Sequence, residues 1–287
     1  MKPFARKLPG ILRSASQIAV AALVLAVAAG QAVAQSNGVA PDSASLARPA
    51  LFRSRDLVYI AALGAAVAAT MPADERVERS FQRPSMQNNS GLRNFFRATG
   101  YLGDPGSVIL SMALYFGGLG FHSRAVAALG MHTGESVVLA GVTSETLKGA
   151  IGRARPKSSP TDSRLFRSGK GFSSDDFASM PSTETSAAFA AAGAIARGVK
   201  REWSSHATAV SIVAYSGATA VAASRLYKNE HWASDVVGGA GIGLLSAGFV
   251  DRFNRRYPNN LAERWFLPQS ILPKRNGLAV AWNIAAR

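Results

Sequence analysis

Between Ser224 and Asp235 the chain reads SRLYKNEHWASD, which sets one arginine, one histidine and one aspartate at spacings that can build a phosphate-handling site. Arg225 offers a planar, permanently charged fork suited to phosphate oxygens. His231 and Asp235 lie four residues apart. If the segment is helical they share a face, so the carboxylate can hold one ring nitrogen and leave the other as a nucleophile. The same pair also fits a helix cap, and the segment alone leaves both readings open.

Two further clusters can supply partners to His231. In LKGAIGRARP, Lys148 and Arg155 are seven residues apart, an offset that puts both on nearly one side of a helix's last two turns before Pro156 stops it. With Arg153 nearby, the two cations can converge on one anion, or simply form a solvated basic helix end. In MPSTET, Ser182 reads as the N-cap of an alanine-rich helix whose free amides and positive dipole end would face an anion, or merely as a cap. Between these clusters, residues 157–180 are polar, basic in their first half and rich in Ser and Gly. A loop of that length between helices is usually functional, and Lys157, Arg164, Arg167 and Lys170 would guide anions in.

The elements that must position these residues are helical. The spacing predicts a first helix from Asp56, as N-cap, to Met71, then helices at about 107–121, 124–150, 182–199, 206–226 and 234–255. Residues 72–106 should hold one short amphipathic helix and a loop, and 277–284 a short strand or an extended tail. Residues 1–34 have a basic start, an apolar run and Ala32-Val33-Ala34, the order of a cleaved signal peptide; residues 35–55 read as a flexible leader. This divides the chain into 1–34, 35–55, a helical domain at 56–255 and a tail at 256–287, with a periplasmic destination.

The chain has 287 residues, 32 Lys and Arg against 17 acids, and no cysteine, which excludes disulfides and thiolate metal sites. A net charge of +15 calls for anionic partners. Aromatic residues are not interleaved with the basic ones, so no nucleic-acid stacking platform is visible. The apolar stretches are rich in Ala and Gly and mostly short, and mean hydropathy is only +0.09. That favours a soluble or peripherally attached bundle over a polytopic membrane protein.

The three clusters in this order, Lys-x6-Arg-Pro, Pro-Ser-x-x-Thr and Ser-Arg-x5-His-x3-Asp, resemble the signature of the type-2 phosphatidic acid phosphatase and vanadium haloperoxidase superfamily over roughly residues 56–251. The resemblance implies an all-α helical bundle with the site at one end. It implies phosphate binding by Lys148, Arg155, Ser182, Thr183 and Arg225, attack by His231 to form a phosphohistidine, and orientation of the ring by Asp235. It also implies no metal or cofactor, and inhibition by vanadate. The substrate class would be a phosphorylated small molecule or lipid phosphate. Family members generally carry a histidine as general acid in the second cluster, and here Glu184 stands in its place.

Three neighbouring cations should hold Glu184 ionised, and loss of a general acid typically costs a factor of about 10²–10⁴ for a poor leaving group. Glu184 can equally be an acidic residue that stabilises a helix start. Two functions follow. One is a phosphohydrolase of monoesters or diphosphates that works with an atypical acid or none. The other is a catalytically impaired phosphate- or phospholipid-binding protein of the same fold.

Overall fold

Helix starts in this chain coincide with short polar side chains that can accept from an otherwise unpaired amide. Asn89, Ser123, Ser182 and Asn260 each accept from the backbone N–H three residues on. The computed structural model describes residues 50–103 and 105–268, with the backbone of 270–274 and 277–281. The expected signal segment and most of the leader lie outside the described residues.

In chain order the described helices are α1 (Ser54–Thr70), α2 (Asp74–Phe81), α3 (Pro84–Gln87), α4 (Ser90–Tyr101), α5 (Gly106–Gly120), α6 (Arg124–Ile151), α7 (Thr183–Glu202), α8 (Ala207–Tyr227), α9 (Ala233–Arg256) and α10 (Leu261–Phe266). The fold is an all-α bundle. Outside it, β1 (Ser270–Lys274) pairs antiparallel with β2 (Gly277–Ala281), Ser270 opposite Ala281. The strand expected from Gly277 thus exists over 277–281, and the expected tail contains a helix and a hairpin. Residues 74–101 hold three short helices where one was expected. Asp56 is not the N-cap of α1: it sits at the third position and accepts from the Arg53 amide at 2.9 Å.

Helix α7 is the axis of the bundle. Eleven of its first fourteen residues are buried, most of them alanine, so α6, α8 and α9 can all approach it closely. Gly239 and Gly243 of α9 lie against the carbonyls of Ser182 and Ser186, where any Cβ would collide with backbone. Beside this contact Phe189, Tyr215, Val221 and Val236 form a core that extends to Val77, Phe81 and Phe96 of the short helices. The links 121–123, 203–206 and 228–232 are short, so α5 to α9 run alternately up and down. The loops 71–105, 152–182 and 228–232 therefore meet at one end.

The expectation of a soluble bundle needs correction. Among the described residues four helical stretches, 54–81, 124–151, 204–227 and 233–256, are long and apolar enough, by length and composition, to cross a membrane. Their outer surfaces are apolar too: Leu57 is 70% exposed, Val138 63%, Val142 62% and Val213 72%, with Ile109 and Phe116 exposed on α5. A continuous apolar exterior of this kind fits lipid contact. Composition averaged over the chain hid it, because the charges collect in the loops and helix ends.

Candidate active site

Gly152 ends α6 in the left-handed conformation, φ 63°, four residues before the expected stop at Pro156. A Cβ there would run into the Arg167 carbonyl, so glycine is required at this turn. Arg153 and Arg155 consequently lie on the loop rather than on the helix. Arg153 turns inward and is 1% exposed. It donates to Asp74 Oδ2 at 2.7 Å, Asp235 Oδ1 at 2.6 Å and the Ser163 carbonyl at 2.6 Å. It is thus a structural anchor and not a third cation of the anion site, because two buried carboxylates already satisfy it.

Asp235 belongs to the first turn of α9, and His231 lies two residues before that helix, so the two do not share a helical face. The aspartate accepts from Ser179 Oγ at 2.6 Å and from the Trp232 amide at 2.9 Å. His231 Nδ1 lies 3.9 Å from its carboxylate. The ring is held instead by the Ser179 carbonyl, 2.7 Å from Nδ1. Asp235 therefore acts on His231 through Ser179, whose hydroxyl it fixes. With Nδ1–H donated to a carbonyl, Nε2 is the nitrogen that points into the site.

The cage cations are each matched by a carboxylate. Lys148 pairs with Glu145 at 2.9 Å, and Thr183 donates to the same Glu145 oxygen at 2.6 Å. Arg155 pairs with Asp175 at 2.7 Å and with Glu230 at 2.8 Å, and Lys157 reaches Glu230 at 2.9 Å. Burial works against ionised Asp175, yet Arg155 and Lys157 hold its carboxyl below the usual range. Ser182 caps α7 and its own amide donates to the Asp235 carbonyl at 3.1 Å. The 157–180 loop is packed rather than loose: Ser163 takes two hydrogen bonds from Arg153, and Arg167 lies 4.9 Å over the Phe177 ring.

Glu184 is the most informative side chain. Its Oε1 is 3.1 Å from Arg225 Nη1 and its Oε2 is 3.2 Å from His231 Nε2. The carboxylate bridges the two groups that a phosphate would bridge. Burial raises its pKa, but the hydrogen bond and charge of His231 and the charge of Arg225 outweigh that and hold it well below the usual carboxylate range. Glu184 is accordingly an anion in the resting site, within hydrogen-bonding reach of Nε2.

Sequence reasoning missed Glu145, Asp175, Glu230 and Ser179, which complete this network. Glu230 adjoins His231 and Glu145 lies three residues before Lys148 on the same helix, so both carried a signal. Asp175 and Ser179 come from loop positions that only the fold brings in. Of the other histidines, His132 bonds Glu263 at 3.0 Å, where α10 packs on α6.

No curated protein gives a significant match. One solved structure is similar, a transmembrane PAP2 type phosphatidylglycerolphosphate phosphatase from Bacillus subtilis, with 22% identity, 71% of this chain and 95% of that chain covered, and a TM-score of 0.49. The family model of the PAP2 superfamily matches residues 129–257, an interval that holds Lys148, Arg155, Ser182, Arg225, His231 and Asp235. Residues 129–257 of this chain are therefore similar to the PAP2 superfamily.

Proposed function

We propose that the protein is a membrane-associated phosphohydrolase of phosphate monoesters or diphosphates, acting through a phosphohistidine on His231. The observation that carries this reading is the bridge made by Glu184, which shows one anionic group fitting between Arg225 and His231 Nε2 at hydrogen-bonding distance. A phosphate there would displace Glu184, take Arg225, Lys148, Arg155 and the first amides of α7 as partners, and present phosphorus to Nε2. Attack would form the P–N bond as the P–O bond to the leaving group breaks, and water would then release phosphate. Ser179 and Asp235 keep Nδ1 protonated while this happens. The likeness of residues 129–257 to the PAP2 superfamily supports a phosphatase in general.

The same Glu184 bridge favours a second reading, a phosphate- or phospholipid-binding protein in which turnover has been lost. Phosphate release from p-nitrophenyl phosphate, followed against pH in wild type, Glu184→His and His231→Ala, separates the two. Hydrolysis by wild type that disappears in His231→Ala supports the enzyme. Equal inertness of both, with phosphate or vanadate still bound, supports the binding protein.

The substrate is a phosphorylated small molecule or a lipid phosphate, and vanadate should compete with it. Periplasmic export rests on residues 1–34, outside the described residues.

A further inference from the structure

One buried donor of the cage has no partner. Arg225 is 7% exposed, its Nη1 serves Glu184, and its Nη2 is buried without a hydrogen bond. A Cβ placed on Gly100 of α4 would sit 2.7 Å from that Nη2 and 2.5 Å from Lys228 Nζ. The two nitrogens therefore lie side by side against Gly100, in a position that any side chain there would disturb. Phe96 holds α4 there by stacking on Tyr227 at 4.6 Å, and the segment before α4 is tied to the same place by Gln82 and Gln87, which donate to the last carbonyls of α8. Arg97, one turn before Gly100, adds a third positive charge. Burial, then Arg225, and to a smaller degree Arg97, push the Lys228 ammonium below the usual lysine range. Glu184 and Glu230 only partly offset them. Cations pressed together around an unpartnered donor are a site short of an anion.

We propose that Arg225 Nη2, Lys228 and Arg97 form a second anion subsite beside the His231 cage, and that it takes the non-transferred phosphate of a diphosphate ester. The proposal rests on the phosphohydrolase reading and narrows its substrate. The two amino nitrogens of one guanidinium would each hold one phosphate. Nε2 of His231 attacks the terminal phosphorus, the bond from that phosphorus to the bridging oxygen breaks, and its electron pair stays on that oxygen. Water then cleaves the P–N bond, so diphosphate ester and water give monophosphate ester and inorganic phosphate.

This assignment also accounts for Glu184. An alkoxide leaving group is strongly basic and needs a proton in flight. A phosphate monoester, with a second pKa of about 6, leaves as an anion and needs cations instead. Lys228, Arg97 and Arg225 provide them.

The test is kcat/KM of the full-length protein in detergent for hexyl diphosphate against hexyl phosphate, in wild type, Lys228→Ala, Arg97→Ala and Gly100→Ala. Wild type should favour the diphosphate by about 100-fold or more, the size of a general-acid contribution. Each of Lys228→Ala, Arg97→Ala and Gly100→Ala should cut that ratio by about tenfold, the first two by removing charge and the third by pushing Arg225 Nη2 and Lys228 Nζ out of place. A ratio near one in wild type, or one unmoved in all three variants, overturns the subsite while leaving the phosphatase intact. If wild type hydrolyses neither ester, the phosphatase reading has failed and calorimetry decides on the subsite. Pyrophosphate binding more tightly than orthophosphate, with the difference lost in Lys228→Ala, upholds it; equal binding refutes it.

Discussion

At the scale of single residues, Glu184 sets the behaviour of the site. Its depressed pKa means that it stays ionised as pH falls through the ordinary carboxylate range, and its pairing contributes stability until pH drops through the lowered folded value. It therefore does not donate a proton at neutral pH, and it competes with any incoming anion. Replacing it by glutamine should tighten vanadate binding at pH 7 by about tenfold, measured by calorimetry, since a charge that neutralises Arg225 and His231 is gone. Glu184→His should raise hydrolysis of an alkyl monophosphate near neutrality by about 10²-fold, the lower end of general-acid catalysis, read as kcat/KM. The family resemblance pointed to Lys148, Arg155, Ser182, Arg225, His231 and Asp235 as site residues. That Nδ1 of His231 answers to Ser179 was not legible, because a backbone carbonyl leaves no residue type to recognise.

At the scale of elements, helix positions followed from apolar periodicity and caps to within a few residues, and α6, α7 and α9 present the site as the chain order implied. The error lay at the end of α6. Pro156 reads as the stop, but the left-handed Gly152 comes first and redirects the chain, which sends Arg153 inward and Arg155 to the cage. A glycine's backbone conformation is set by what approaches it, here the Arg167 carbonyl, and sequence does not display that. Arg153→Ala leaves Asp74 and Asp235 buried without their cation, and should destabilise the protein by about 3–5 kcal/mol in thermal or denaturant unfolding. The more distant Arg164→Ala should leave the midpoint unchanged to within about 0.5 kcal/mol, as exposed surface substitutions do.

At the scale of the molecule, mean hydropathy obscured a bundle that exposes large apolar side chains on α1, α5, α6 and α8. The alternation of the long helices places Ser54 and the 152–182 loop at opposite ends. In a membrane they would face opposite compartments, so an exported residue-54 end would turn the site to the inner face. The absence of cysteine makes this directly measurable. Single cysteines at Leu51 and at exposed Phe172 should react with an impermeant maleimide from opposite sides of sealed vesicles. Labelling of both from one side would remove the spanning arrangement.

The central claim is that a phosphoryl group passes through His231. Wild type mixed with substrate labelled with ³²P on its terminal phosphate and quenched in alkali should carry acid-labile label on His231, formed and lost at rates compatible with turnover, and His231→Ala should carry none. Full turnover with no label at His231, or turnover that survives His231→Ala, would contradict the account.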